Sequence, residues 1–233
     1  ETTQMDNKNI QAVIFDMDGL LLDTESLYQE AIQAVVSRFG KDYAEHIRVQ
    51  VIGKGEHHGA KIIVDALNIP LSTEEFLRER DAILEELFLK TKPMPGAIKI
   101  TQHLQKHGIP IAVATSSNSH AVKIKTTNFT DWFKVFNGNL VSGDHPNVKK
   151  GKPAPDIFLE AARRLNIDPS LCLVFEDSSA GVQAGKAAGM KVVAVPDPAV
   201  LEANREAYQI ADLIIQSLED INLEHFNLPS FSS

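Results

Sequence analysis

The sequence predicts an α/β fold: a doubly wound parallel sheet with a small helical domain inserted after its first strand. Three observations lead there. Short apolar runs recur at 12–15, 109–114, 171–175, 191–195 and 213–215 with helical segments between them, the pattern of parallel strands joined by crossover helices. These runs are continuously apolar rather than alternating, so both faces of the sheet are expected to be covered, giving three layers. Finally, 93 residues separate the first two runs, too many for one crossover helix.

The elements follow in order. Ala12–Phe15 reads as the first strand and ends at Asp16-Met17-Asp18-Gly19. Beyond it, Leu27, Ala31, Val35 and Phe39 recur at steps of four, with Tyr28, Ile32 and Val36 beside them, which predicts a helix capped at Ser26 and ended by Gly40. A second helical segment follows Gly59 through Leu67, and a third opens at Ser72-Thr73-Glu74-Glu75, where acids complement a helix start. Pro93-Met94-Pro95-Gly96 breaks the pattern. The expected division is therefore a core of residues 1–23 and 92–233 and a helical cap of residues 24–91. His107-Gly108 and Ala188-Gly189 mark turns before later strands, and Leu-Glu-Asp-Ile-Asn-Leu near the C-terminus reads as a short closing helix. Trp132, Phe133 and Phe136 read as packing anchors.

Composition narrows the function. With 233 residues, 43% of them hydrophobic, the chain can bury a full core. Its net charge of −8 and lack of a basic run argue against nucleic-acid binding. Cys172 lies within an apolar strand and reads as a small core residue rather than a catalytic thiol. No apolar stretch reaches about 18 residues, and the polar start carries no signal-peptide pattern. A cytoplasmic setting without membrane contact is expected; the oligomeric state is left open, with a monomer compatible.

The chemistry is concentrated at strand ends, the edge where open α/β sheets bind ligands. Asp16 and Asp18 close the first strand, and two buried acids so near each other call for a cation or a shared proton. Thr115-Ser116-Ser117-Asn118 follows the second, where hydroxyls of Thr115 and Ser116 and helix N–H groups suit an anion. Lys152 is pinned between Gly151 and Pro153, and Glu176-Asp177 follows the strand that holds Cys172. Acids, a lysine and hydroxyls on one rim are the inventory for hydrolysing a phosphate ester with a hard divalent cation. Mg²⁺ would take oxygens from Asp16 and Asp177, the lysine would balance the phosphate dianion, Asp16 would attack phosphorus, and Asp18 would carry the transferable proton.

These four stretches, Asp16-Met-Asp-Gly, Thr115, Lys152-Pro-Ala-Pro-Asp-Ile-Phe and Glu176-Asp177-Ser-Ser-Ala-Gly, resemble in order and spacing the four motifs of the haloacid dehalogenase superfamily. The resemblance spans the chain and implies a Rossmann-like core with a helical cap. It implies Asp16 as nucleophile, Asp18 as general acid/base, Thr115 and Lys152 as phosphate binders, and Asp177 as metal ligand with Glu176 supporting it. It also implies that the backbone carbonyl of Asp18 binds Mg²⁺. The strings Phe-Asp-Met-Asp-Gly-Leu-Leu-Leu-Asp-Thr-Glu, His-Gly-Ile-Pro, Ala-Thr-Ser-Ser and Leu-Val-Phe-Glu-Asp are similar to the pseudouridine-5′-phosphatase branch, which shares them with glycerol-phosphate phosphatases. The expected activity is phosphomonoester hydrolysis, with pseudouridine 5′-phosphate the first candidate and glycerol or sugar phosphates next. A phosphomutase of the β-phosphoglucomutase kind and a non-catalytic binding protein on the same scaffold are the alternatives.

Within the cap, the glycine-rich stretch from Gly53 to Gly59 is expected to face the substrate, with Lys54, Glu56 and His57 selecting it. Lys54 alone would suit the second phosphate of a mutase, and Glu56 opposes that role. His103 and His107 lack an accompanying acid and read as surface residues.

Overall fold

The computed structural model describes residues 9–52 and 54–232; the polar start and Gly53 lie outside them. Six parallel strands form one sheet in the order β3-β2-β1-β4-β5-β6: β1 (Ala12–Phe15), β2 (Ile111–Ala114), β3 (Leu140–Val141), β4 (Cys172–Glu176), β5 (Lys191–Ala194) and β6 (Leu213–Ile214). The helices are α1 (Glu25–Ser37), α2 (Glu45–Val51), α3 (Glu56–Leu67), α4 (Thr73–Leu87), α5 (Ala97–Lys106), α6 (Ser119–Lys125), α7 (Thr130–Phe133), α8 (Asp156–Leu165), α9 (Ser179–Ala187) and α10 (Pro198–Ala203).

Strand periodicity sorts the core into two faces. Val13 and Phe15, Ile111 and Val113, and Leu173 and Phe175 point to one side, where Ala97, Ile100 and Leu104 of α5 cover them together with Leu218, Ile221 and Leu223. Ala12 and Ile14, Ala112 and Ala114, and Cys172 and Val174 point to the other, against Ile157, Phe158 and Ala161 of α8 and Val182 and Ala184 of α9. Both sides of these strands are buried, so the expected continuous apolar runs and three layers are present. Each fully buried large apolar side chain contributes about 1.5–3 kcal/mol.

The sequence reading departs from the structure in several places. β3 was not anticipated, because two residues, one of them half-buried, give no periodic signal. β2 begins at Ile111 rather than Ile109; Pro110 has no N–H to offer a ladder. The cap of α1 is Thr24, not Ser26. Gly59 lies inside α3 instead of ahead of it, because a β-carbon there would come 2.9 Å from Val51 Cγ1 and its absence lets the two helices approach. The closing C-terminal segment consists of two 3₁₀ turns, Leu218–Asp220 and Leu223–Phe226. Ser72 does open α4, with a full capping box to Glu75.

The helices α1 to α4 intervene between β1 and α5 and carry apolar clusters of their own. Val35, Val36, Ile63 and Phe76 form one; Leu27, Ala31, Leu84 and Phe88 form another, which Ile124 of α6 joins. The chain leaves and re-enters the sheet layer side by side: Asp23 donates from its N–H to Lys92 O at 2.8 Å, Met94 to Leu21 O at 2.8 Å, and Leu22 bridges Pro93 antiparallel. Among the described residues no helix is long and apolar enough to cross a membrane. His103 and His107, expected on the surface, are half-buried; their rings lie 4.3 Å apart, and His103 meets Pro229 O at 2.9 Å and the ring of Phe231.

Candidate active site

The sheet order reverses direction at β1 and β4, and the crevice outside the C-terminal ends of those strands is where an α/β sheet offers a ligand site. Asp16 follows β1 there, its N–H bonded to Phe175 O at 3.0 Å, while Glu176 ends β4 and Asp177 follows. One oxygen from each of Asp16, Glu176 and Asp177 lies within 4.8 Å of the others. Lys152 reaches this group from the loop before α8, its ammonium 2.7 Å from Asp16 Oδ1 and also bonded to Glu176 and to Ala114 O.

Two glycines make the convergence possible. Gly19 has φ +77°, and a β-carbon there would fall 2.4 Å from Asp177 Oδ2. Gly181, in the first turn of α9, leaves room for the Glu176 carboxylate, which also accepts from the Ser178 N–H at 3.0 Å and hydroxyl at 3.1 Å. On the outer side, the buried Tyr208 donates its hydroxyl to Asp177 O at 3.0 Å.

The charges are unequally compensated. Burial, then the neighbouring Glu176, raises the Asp16 carboxyl to about 7 although Lys152 opposes this. Burial, followed by Asp16 and Glu176, raises Asp177 well above its ordinary value. Burial lowers Lys152, but Asp16 and Glu176 outweigh it and leave its ammonium more firmly protonated than usual. Three acids facing one lysine therefore lack a positive charge. An all-oxygen donor set with that deficit fits a hard divalent cation, which would draw the carboxyl pKa values back down. Glu176, expected in a supporting place, is itself one of the three.

Asp18 has a different environment. Its side chain is not in the acid cluster. Oδ1 accepts from Thr24 Oγ1 at 2.8 Å and Lys125 Nζ at 2.6 Å, and Oδ2 accepts from Ser117 Oγ at 2.7 Å and Thr115 Oγ1 at 3.1 Å. Burial raises Asp18, but the Lys125 ammonium and these hydroxyls prevail and hold it below the ordinary carboxylate range. Without a cation, Asp18 is therefore held the more firmly ionised of the two, whereas the expected order, with Asp18 carrying the transferable proton beside a metal-linked Asp16, belongs to the loaded site. What keeps Asp18 ionised is Lys125, the last residue of a seven-residue helix that also holds Lys123, and the sequence reading had no role for it. Its one signal is position: Lys125 falls three residues after the buried Val122, on the same face of α6.

Thr24 explains the misplaced start of α1. Its hydroxyl is spent on Asp18 and makes no cap bond, so Asp23 Oδ1 accepts from Ser26 N–H instead. Thr115 is fully buried and turned to Asp18, whereas Ser116 lines the opening. The opening is a cavity of about 590 Å³ between the strand ends and the inserted helices. Lys54 and Glu56 line it. His57 does not; its ring is exposed and pairs with Glu74 at 2.9 Å. Sequence reasoning also passed over Glu25, Tyr28, Arg48 and Arg80, which line the cavity too. Both arginines are already neutralised, Arg48 by Glu45 and Asp197 and Arg80 by Glu56 and Asp81.

The haloacid dehalogenase-like hydrolase family matches residues 10–189, which include all of these strand-end groups. The chain belongs to that family. Its relatives within and around this haloacid dehalogenase-like group include an Arabidopsis thaliana protein named (DL)-glycerol-3-phosphatase 2, 42% identical over 96% of this chain and 93% of that one. A Drosophila melanogaster protein named "Probable pseudouridine-5'-phosphatase" is 41% identical over 98% of this chain and 100% of that one. Among solved structures, a haloacid dehalogenase-like hydrolase of family IA, variant 3, from Entamoeba histolytica superposes with a TM-score of 0.75, at 25% identity over 93% of this chain and 97% of that one.

Proposed function

We propose that the chain is a Mg²⁺-dependent phosphomonoesterase working through an aspartyl-phosphate. The observation that carries this reading is the Asp16–Glu176–Asp177 cluster, with Lys152 on Asp16, at the point where the sheet reverses. Bound among those carboxylates, Mg²⁺ would offset the charge that accumulates as dianionic phosphate approaches them. An Asp16 oxygen bonds to phosphorus as the bond to the ester oxygen breaks, and the departing alkoxide takes a proton from Asp18. Water then attacks phosphorus and loses its proton to Asp18, and phosphate departs with Asp16 restored. Lys152 and the Ser116 region hold the phosphoryl oxygens, with Thr115 aligning Asp18 from below.

Asp18 as described is poised for the second half, as a base. For the first half it has to take up a proton and release one of its four donors.

Residues 24–91 serve as the cap, whose cavity wall selects the alcohol. That cavity holds Asp16, Asp18, Glu25, Glu56, Asp81, Glu85 and Asp177 against Arg48, Lys54, Arg80 and Lys152. A surplus of acids, with both arginines paired, favours one phosphate on a neutral hydroxyl-rich group over a bisphosphate. Pseudouridine 5′-phosphate is the first substrate to test and glycerol 3-phosphate the second, in line with the named relatives.

The deciding assay is phosphate release from a panel of nucleotide, glycerol and sugar phosphates, with and without Mg²⁺. Asp16→Asn is expected to lose at least about a thousandfold in kcat. Full metal-dependent turnover by Asp16→Asn would remove the nucleophile from this account, and isomerisation without free phosphate would make the protein a mutase.

A further inference from the structure

We propose that Lys125 is a positioning residue for Asp18, and that through it the seating of the inserted helices reaches the acid/base carboxylate. The proposal rests on the reading of Asp18 given above.

Lysine is rarely buried without a partner, because its ammonium loses water that nothing apolar replaces. Lys125 is 1% exposed. Its Nζ donates to Asp18 Oδ1 at 2.6 Å and to Ser117 Oγ at 2.8 Å, and Ser117 in turn donates to Asp18 Oδ2 at 2.7 Å. Lysine, serine and aspartate thus close a ring in which each fixes the other two. The carboxylate plane is set by donors on both oxygens, and Lys125 binds the oxygen that Thr24 also holds.

The far side of the ammonium belongs to a different part of the molecule. Nζ lies 4.5 Å from the ring centre of Phe88 and 5.7 Å from that of Tyr28, within reach of a cation–π attraction. Tyr28 is on α1, and Phe88 follows directly on α4. Lys125 therefore stands at the seam, with the strand-end site on one side and the inserted helices on the other. A residue needed only to fill that place would be served by methionine or leucine, because its helix neighbour Ile124 packs against the same apolar cluster. A cation placed there instead acts on the carboxylate in front of it. Misplacement of a reacting group by about 1 Å costs up to about a hundredfold in rate, so the position of Asp18 is where Lys125 should be felt.

The test pairs Lys125→Met and Lys125→Arg with Asp18→Asn, using the phosphate ester that the parent hydrolyses best. Lys125→Met is expected to lower kcat by about 10- to 100-fold while KM stays within about threefold, and Lys125→Arg to recover part of the loss. In the Asp18→Asn background, Lys125→Met should cost less than about twofold more, because its route runs through Asp18. Phe88→Leu should lower kcat several-fold with the same KM pattern. A Lys125→Met enzyme with kcat within twofold of the parent, or losses that simply add in the double variant, would overturn the positioning role. An unchanged kcat in Phe88→Leu would overturn the link to the inserted helices.

Urea unfolding of the parent, Lys125→Met, Asp18→Asn and the double variant gives a readout independent of turnover. The two substitutions should be non-additive by at least about tenfold in the folded-to-unfolded ratio, and additivity refutes the Lys125–Asp18 connection. Should the parent hydrolyse no ester in the panel, the phosphatase reading fails by itself, and this unfolding cycle still decides the Lys125 proposal.

Discussion

Gly181→Ala should weaken the protein, against the usual expectation for a helix. In α9, replacing glycine by alanine ordinarily gains about 1 kcal/mol, because alanine gives up less backbone freedom. Here the new β-carbon would lie 1.9 Å from Glu176 Cδ and Oε1, where ordinary contact begins at 3.4 Å. The carboxylate must retreat by about 1.5 Å, the difference of those distances. That is more than its bonds to the Ser178 N–H and hydroxyl, at 3.0 and 3.1 Å, can stretch. Lys152 would lose its second anion as well. Breaking a buried pair outright costs about 3–5 kcal/mol; with partial following by Lys152 and the helix gain subtracted, a net loss of about 2–3 kcal/mol remains. For a chain of this length that lowers Tm by roughly 5–10 °C. Urea titration and thermal melting by circular dichroism give both numbers, and phosphate release should fall in parallel. In a Glu176→Ala background the penalty should vanish, with Gly181→Ala becoming neutral or stabilising. A single variant as stable and as active as the parent refutes the steric reasoning.

Two further outcomes are expected. Burial, then Asp18, raises the Glu25 carboxyl to about 7; a carboxyl raised on folding binds its proton more tightly in the folded state, so its contribution is present below its unfolded value of about 4 and is lost as pH rises through about 7. Glu25→Gln should therefore gain stability relative to the parent between pH 5 and pH 8 in urea titrations, and a pH-independent difference contradicts this. Tyr208→Phe removes the donor to Asp177 O and should raise the Mg²⁺ concentration for half-maximal activity several-fold, with kcat at saturating Mg²⁺ near that of the parent; a fall in kcat at all Mg²⁺ levels speaks against the assignment.

What could be read from the sequence depended on how local the signal was. Ala12–Phe15 and Cys172–Glu176 announced themselves because strands covered on both faces need no alternation to be recognised. Asp16, Glu176 and Asp177 stood at strand ends and Lys152 between Gly151 and Pro153, and the structure brings these four together. Leu140–Val141 was too short to carry a period. Thr24 was passed over in favour of Ser26 because a hydroxyl at a helix start suggests a cap, and only the fold brings Asp18 within 2.8 Å to claim it. Lys125 was hard to see for a related reason: it lies 107 positions along the chain from its carboxylate, and its place three residues after Val122 is too slight a local signal to single out a lysine that turns inward. The four donors that hold Asp18 ionised in the absence of a cation were out of sight for the same reason. Spacing suggests which acids are near a cation, but their compensation is set by side chains that arrive from elsewhere in the chain.

The paired passage at Leu22 and Pro93 makes the four inserted helices, topologically, one long loop. Both crossing points are pinned by backbone hydrogen bonds on the sheet side, Asp23 to Lys92 and Met94 to Leu21, and those bonds do not involve the sequence beyond them. A different set of helices could be spliced between the same two residues without shifting the register of β1 against β2 and β4. The strand-end site and the inserted helices, which the proposed function makes the bond-breaking part and the part that chooses the alcohol, are thereby separable, free to be exchanged by recombination at two adjacent points. Lys125 and Thr24, together with the contacts of Arg48 with Asp197, of Glu85 with His120 and of Ile124 with the inserted helices, would have to be matched to each new insert.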